Sequence, residues 1–162
     1  MSLGYDYQKR PSFYQGEANH GESHQGSFVF HITSNFSKKM EVTFESTTAL
    51  ANYKSAWSEA SNILKEAINF SVRTTFIPKY TLLAKMNYKY NKQYSTAEEV
   101  DNTLLEASIS RKIGKHANLS LIGYNLLDSS ESKFLNKTAE YVAYTQTSQL
   151  GRYLLLSLKF NF

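Results

Sequence analysis

The 162 residues contain no cysteine and only two prolines. Without cysteine, disulfides and thiolate metal sites are excluded, and the redox compartment leaves no mark on the chain. With so little proline, long strand ladders go uninterrupted, because proline cannot donate to a ladder. No apolar run approaches the ~20 residues of a membrane helix, which excludes a helical membrane protein. Lys and Arg number 18 against 14 Asp and Glu. That mild excess is spread along the chain, with no basic block of the kind that holds nucleic acid. The opening MSLGYDYQKR has no apolar h-region. The chain therefore reads either as cytosolic or as an internal piece of a longer chain behind an added start. Gly-x-Ser-x-Gly, His-Glu-x-x-His, a phosphate loop and a Cys nucleophile are all missing. No enzyme activity, metal or cofactor is expected.

Aromatic residues are abundant: 12 Tyr and 10 Phe. They fall on a two-residue alternation, the mark of a strand with unlike faces. In residues 27–36, Phe28, Phe30, Ile32 and Phe36 alternate with Val29, His31, Thr33 and Asn35. In 41–50, Val42, Phe44 and Leu50 oppose Glu41, Thr43, Glu45 and Thr47. The same pattern runs through 67–77 with Ile68, Phe70, Val72 and Phe76, and through 81–93 with Leu82, Ala84, Met86, Tyr88 and Tyr90. It continues in 104–113, in 117–127, and in 149–162, where Leu154, Leu156, Leu158, Phe160 and Phe162 alternate with Tyr153, Leu155, Ser157, Lys159 and Asn161.

Tight links are expected at 37–40, 77–80 and 114–117, and long polar loops at 51–66, 94–103 and 128–147. Within those loops, WSEASNILKEA and STAEEV have helical spacing as an alternative to strand extension. Residues 1–26 read as a polar loop segment, with YDYQ the tip of an earlier strand, and 27–162 as barrel strands. The expected fold is all-β, an antiparallel up-and-down meander of about seven or eight long strands.

Strands of ten to thirteen residues exceed the usual five or six and match the ~9–11 needed to cross a bilayer. Such a sheet must close, because lipid satisfies no backbone group. The expected lipid-facing residues are Phe28, Phe30, Phe44, Phe70, Met86, Leu154, Leu156, Leu158 and Phe160. The polar residues opposite would line a wet lumen. Tyr88, Tyr90, Tyr94 and Tyr153 are expected at one aromatic girdle, and Phe36, Phe76, Phe160 and Phe162 at the other.

The last 60 residues carry a resemblance. LSLIGYNLLDSS, then a polar loop, then YVAYTQTSQLGRYLLLSLKFNF resembles the carboxy-terminal strands of TonB-dependent outer-membrane receptors, of the β-barrel type common in Bacteroidota. Leu150, Gly151, Arg152 and Tyr153 match directly. Asn125-Leu126-Leu127-Asp128 matches with Asp and Asn exchanged. The match is specific over about residues 104–162. It implies a C-terminal fragment, roughly the last third, of a barrel that in full length contains a plug domain, couples to TonB and imports a nutrient such as a siderophore or glycan. It implies an outer-membrane location and contact with the bilayer. Phe162 would be the terminal signal taken up by the barrel assembly machinery. Self-association through open sheet edges is a further expected contact. The alternatives are a small self-contained eight-stranded barrel, its eighth strand drawn from residues 5–14, and a soluble β-rich binding domain.

Among candidate site residues, Tyr53, Trp57, Tyr141 and Tyr144 lie in the long loops, where aromatics stack on a ligand or pack the loop. His20 and His24, with Glu17 or Glu22, have only weak metal-ligand spacing. His31 on its polar face reads as a lumen residue, and Glu41, Glu45, Arg73, Lys85, Lys89 and Glu106 as a cross-strand charge lattice lining the lumen, with substrate contact the alternative.

Overall fold

The computed structural model describes the backbone of residues 1–162 except 15, 16, 56, 57, 76, 96, 97, 115, 130, 138–141, 149, 161 and 162. For 12–14, 17–19, 55, 58, 59, 98, 131–137, 142–144 and 147 it describes the backbone alone. Ten strands follow in chain order: β1 Ser2–Tyr14, β2 Glu17–Ser37, β3 Met40–Ser55, β4 Ser58–Thr74, β5 Tyr80–Gln93, β6 Glu98–Ile113, β7 Ala117–Tyr124, β8 Glu131–Lys137, β9 Val142–Ser148 and β10 Tyr153–Phe160. No helix occurs among the described residues.

Eight strands form one antiparallel sheet in the order β1-β2-β3-β4-β5-β6-β7-β10, and β8-β9 is a separate hairpin. This is the expected up-and-down meander. The tight links lie where the sequence puts them, with Lys79 and Gly114 in the left-handed region that lets the chain reverse. The expected long loops are largely strand. β3 and β4 run through most of 51–66, β6 begins within 94–103, and 128–147 contains the β8-β9 hairpin. WSEASNILKEA is strand from Ser58 onward, and STAEEV from Glu98. Residues 1–26, expected as a polar loop, form β1 and the first part of β2. Polar composition misleads here because a ladder bonds through its backbone. Tyr5-Asp6-Tyr7-Gln8 keeps the period of two after the apolar residues run out.

The sheet is open. β1 pairs with β2 and β10 with β7, and among the described residues the two outer strands do not pair with each other. It is also staggered. The ladder row from Leu154 passes Gly123, Ala107, Ala84, Val72, Val42 and Ser34. It then finds no partner on β1, whose first residue lies opposite Val29, farther up β2.

Among the described residues, the only buried hydrophobic side chains are Ala49, Ala51, Ile63 and Val100. A water-soluble sheet needs a second layer over its apolar face. Here Leu156 is 69% exposed, Leu154 68% and Leu3 81%, with Phe30, Ile32, Phe70, Ile109 and Leu121 also exposed. A soluble domain would bury Phe28, Phe44, Phe70 and Leu156; Phe70 and Leu156 are exposed and the other two only half-buried.

Candidate functional site

The register sorts the side chains onto two faces, and each of the nine residues expected to face lipid falls on the same one. One row on that face reads Ile32, Phe44, Phe70, Met86, Leu105. Another reads Leu156, Leu121, Ile109, Leu82, Thr74, Met40. A third, nearer the long hairpins, reads Leu3, Phe28, Thr48, Glu66, Tyr90, Asp101. In the third row the apolar residues sit on β1 and β2, and the charges on β4 and β6.

The apolar belt therefore crosses the ladder rows obliquely. The row from Leu156 arrives at Met40, opposite Ser37, yet the apolar stretch of β2 centres seven residues away at Phe30, or six rows once the extra residue at the irregularity between Asn35 and Ser37 is discounted. Over six strand steps that is about one residue per strand. At ~3.3 Å per residue and ~4.8 Å between strands, the strands lean roughly 35° from the normal of the belt.

Above the belt the same face turns aromatic and charged. Tyr5 is hydrogen-bonded to His24 Nδ1 at 2.7 Å, and the Tyr7 ring lies 4.7 Å from the His24 ring. Lys9 pairs with Glu22 at 3.3 Å, and Lys92 pairs with Glu99. Glu22 and His24, considered as metal ligands, are thus engaged by β1 neighbours. Among the described residues no group of three metal-ligating side chains converges.

The other face carries a transverse polar ladder in which Asn87, Asn69, Glu45 and His31 lie on four successive strands, β5 to β2. Asn87 donates to Asn69, and Asn69 Nδ2 donates to Glu45 Oε1 at 3.3 Å. His31 Nδ1 contacts Glu45 Oε2 at 3.4 Å, and its Nε2 contacts Thr33 Oγ1 at 3.1 Å. Both amides give their protons toward Glu45, so the chain is oriented on that carboxylate. Of the expected charge lattice, Arg73 lies directly opposite Glu41, and Glu106 directly opposite Lys85. Thr43, Glu45, Asn69, Lys85, Asn87 and Glu106 border a shallow recess of about 340 Å³. Asn69 and Asn87 were legible only as polar-face residues. Their bonding depends on register, which alternation does not state.

The residues that carry the family resemblance meet at one corner. After β7 the chain turns at Asn125–Asp128, where the Asp128 N–H donates to Asn125 O at 2.8 Å. Asn125 and Asp128 take the left-handed conformation there, with φ 48° and 60°. Asn and Asp tolerate it better than other side chains. The Asn125 amide is 5% exposed and ties both sides together. Its Nδ2 donates to Ser129 O at 2.7 Å and to Leu150 O at 3.0 Å, while its Oδ1 accepts from Ser129 N at 2.9 Å. Asp128 Oδ1 accepts the Arg152 N–H at 2.9 Å, and its other oxygen lies 3.9 Å from the Arg152 guanidinium.

A Cβ at Gly151 would stand 3.0 Å from Asp128 Oδ1, so a larger residue there presses on the carboxylate that accepts the Arg152 N–H. Tyr153 stacks on Tyr124 at 4.9 Å, on the polar face. That corrects its expected place in a girdle: an odd position on β10 faces away from Leu154 and Leu156. Because the Asp128–Arg152 charges are exposed, Arg152→Ala is expected to cost at most about 1 kcal/mol in urea unfolding. Asp128→Ala should cost more, because the Arg152 N–H loses its acceptor.

Tyr53 lies on β3 beyond the belt, and burial raises its phenol above the ordinary value. Tyr144 is in β9 opposite Leu135, with only its backbone described. Trp57, Tyr141, Phe76 and Phe162 lie outside the described residues, as does the side chain of Glu17. No family model, curated protein or solved structure matches the chain.

Proposed function

We propose that this chain is wall of a transmembrane β-barrel of the outer-membrane type. Within that class we propose the C-terminal portion of a TonB-dependent receptor, where these strands complete the barrel and the long hairpins supply outer loops for nutrient capture. The carrying observation is the oblique belt. A slab of lipid imposes an apolar zone perpendicular to the barrel axis, and strands tilted ~35–45° to that axis must cross it at an angle. An apolar face covered by a second protein layer has no such requirement.

The polar ladder on the opposite face supports a wet lumen, since Glu45, Lys85 and Glu106 are hydrated there without entering hydrocarbon. The receptor assignment is supported by the corner, where the two sequence segments of the resemblance make direct bonds. In the full receptor the partners would be the bilayer, a plug domain, TonB and the barrel assembly machinery.

Expression behind an outer-membrane leader tests the wall. The chain is expected in the detergent-resistant outer-membrane fraction, migrating faster on gels before boiling than after. A chain that stays monomeric in buffer without detergent overturns the proposal.

A further inference from the structure

Lys and Arg are scattered along the sequence, yet the meander gathers a group of them at one end of the sheet. Lys38 and Lys39 form the turn between β2 and β3, and Lys79 lies in the turn between β4 and β5. Arg111 and Lys112 end β6 just before the third short turn. Every second connection of an up-and-down sheet returns to the same end, so these turns stand in a row, about 10 Å apart at two strand spacings. All five cations are exposed.

They also lack partners of opposite charge. Among the described residues no ion pair engages Lys38, Lys39, Lys79 or Arg111. The one described carboxylate near these turns, Glu41, lies opposite Arg73 on the polar face. On that same face Lys112 and Lys159 flank Asn118 and add to the positive field. At the long-hairpin end, by contrast, Lys9 and Lys92 each have a carboxylate partner, Glu22 and Glu99.

Arg111 shows what this end meets. It is on the apolar face, in a row with Tyr80, Leu119 and Leu158. Its guanidinium lies 5.2 Å from the centre of the Tyr80 ring. The belt climbs about one residue per strand, so on β6 its midline is near Ala107, four residues from Arg111. At ~3.3 Å per residue and the ~35° lean, Arg111 is roughly 11 Å from the midplane, at the edge of a ~25 Å apolar band. The lysines of the turns lie just beyond it. A guanidinium fork at that depth matches a headgroup phosphate. A soluble acidic protein would reach the turns but not the face beside the hydrocarbon.

Resting on the membrane-wall reading above, we propose that the short-turn rim binds the phosphates of anionic lipid headgroups, with Arg111 on Tyr80 as its deepest contact. The rim holds the wall at a fixed depth against an anionic leaflet.

The lack of cysteine lets one label mark the rim. Ile77→Cys, in the middle turn and exposed, carries a donor fluorophore in vesicles of phosphatidylcholine and phosphatidylglycerol. Insertion is established first, by protease protection. Energy transfer is then read to acceptor-labelled forms of each lipid. Phosphatidylglycerol is expected to be preferred by about threefold or more at low salt. The preference should vanish between about 0.01 M and about 1 M salt, as the screening length falls from ~30 Å to ~3 Å. Lys38→Gln/Lys39→Gln/Lys79→Gln/Arg111→Gln should bring the ratio close to one. Lys9→Gln/Lys54→Gln/Lys65→Gln/Lys92→Gln, equal in charge but at the other end, should keep it. Should the rim variant fail to insert, Arg111→Gln alone and Lys38→Gln/Lys39→Gln alone are each expected to lower the ratio. An inserted wild-type chain with no preference overturns the proposal and leaves the rim to an acidic polypeptide. A preference that survives neutralisation of the rim, or that the other-end variant loses equally, also overturns it. Those results leave the wall reading standing, whereas a chain that never inserts overturns the wall and the rim together.

Discussion

Leu156→Arg is expected to destabilise the assembled sheet by about 2–4 kcal/mol, and Ser157→Arg by less than about 1 kcal/mol, in urea unfolding from lipid vesicles. The two positions are adjacent on β10 and differ only in face. Leu156 lies in a row with Leu121, Ile109 and Leu82, near the middle of the belt. A guanidinium there has no carboxylate on its own row within the belt and must be drawn toward an interface or bring water with it. Ser157 lies opposite Ser120 on the face that holds Lys85, Lys89 and Lys159, and a cation there keeps its hydration.

The oblique belt sharpens the comparison. Asp101 shares the face of Leu156 but sits above the belt, in the row where Leu3 and Phe28 are apolar. Asp101→Arg should therefore cost about 0–1 kcal/mol, as at an interface. If Leu156→Arg, Ser157→Arg and Asp101→Arg cost the same, the face assignment and the tilt both fail. If Leu156→Arg is costly while Asp101→Arg is equally so, the face stands and the slab does not.

The alternation of Phe28-Phe30-Ile32 and Leu154-Leu156-Leu158 made strand type and face legible, because period two survives any register. Register was not legible, and the most informative features depend on it. The oblique belt needs to know that Phe28 stands opposite Thr48 and not opposite Phe44. The polar ladder needs Asn69 between Glu45 and Asn87. Strand length was underestimated for a related reason. The apolar residues end where the belt ends, but the backbone ladder goes on, as in β1 and in the outer parts of β3 and β4. Asn125, Asp128 and Arg152 were visible as parts of a resemblance. Their mutual bonding was not, since 25 positions separate Asn125 from Leu150.

Asn125→Leu is expected to cost about 2–4 kcal/mol and to uncouple β8-β9 from the sheet. Leucine has nearly the same size but leaves Ser129 N–H, Ser129 C=O and Leu150 C=O without their partner, and buried unpaired groups each cost about 1–3 kcal/mol where water cannot reach them. It also places a branched side chain at φ 48°, which Asn accepts more readily. Asn125→Gly separates the two terms: it relieves the backbone and still lacks the bonds, so it should fall between wild type and Leu.

Asn125→Asp gives the cleanest readout. The carboxylate still accepts from Ser129 N–H, but it faces two carbonyl oxygens that the amide had been donating to. Burial and those oxygens favour the protonated acid, which can donate to one of them, so its folded pKa lies above the unfolded value of about 3.9. The variant's stability is therefore greatest below that unfolded value and declines as pH rises through the folded one. Urea midpoints at pH 4 and pH 7 should diverge for Asn125→Asp relative to Asn125→Leu, which has nothing to titrate at that position. Parallel behaviour of the two variants would mean that Asn125 occupies the turn without holding it.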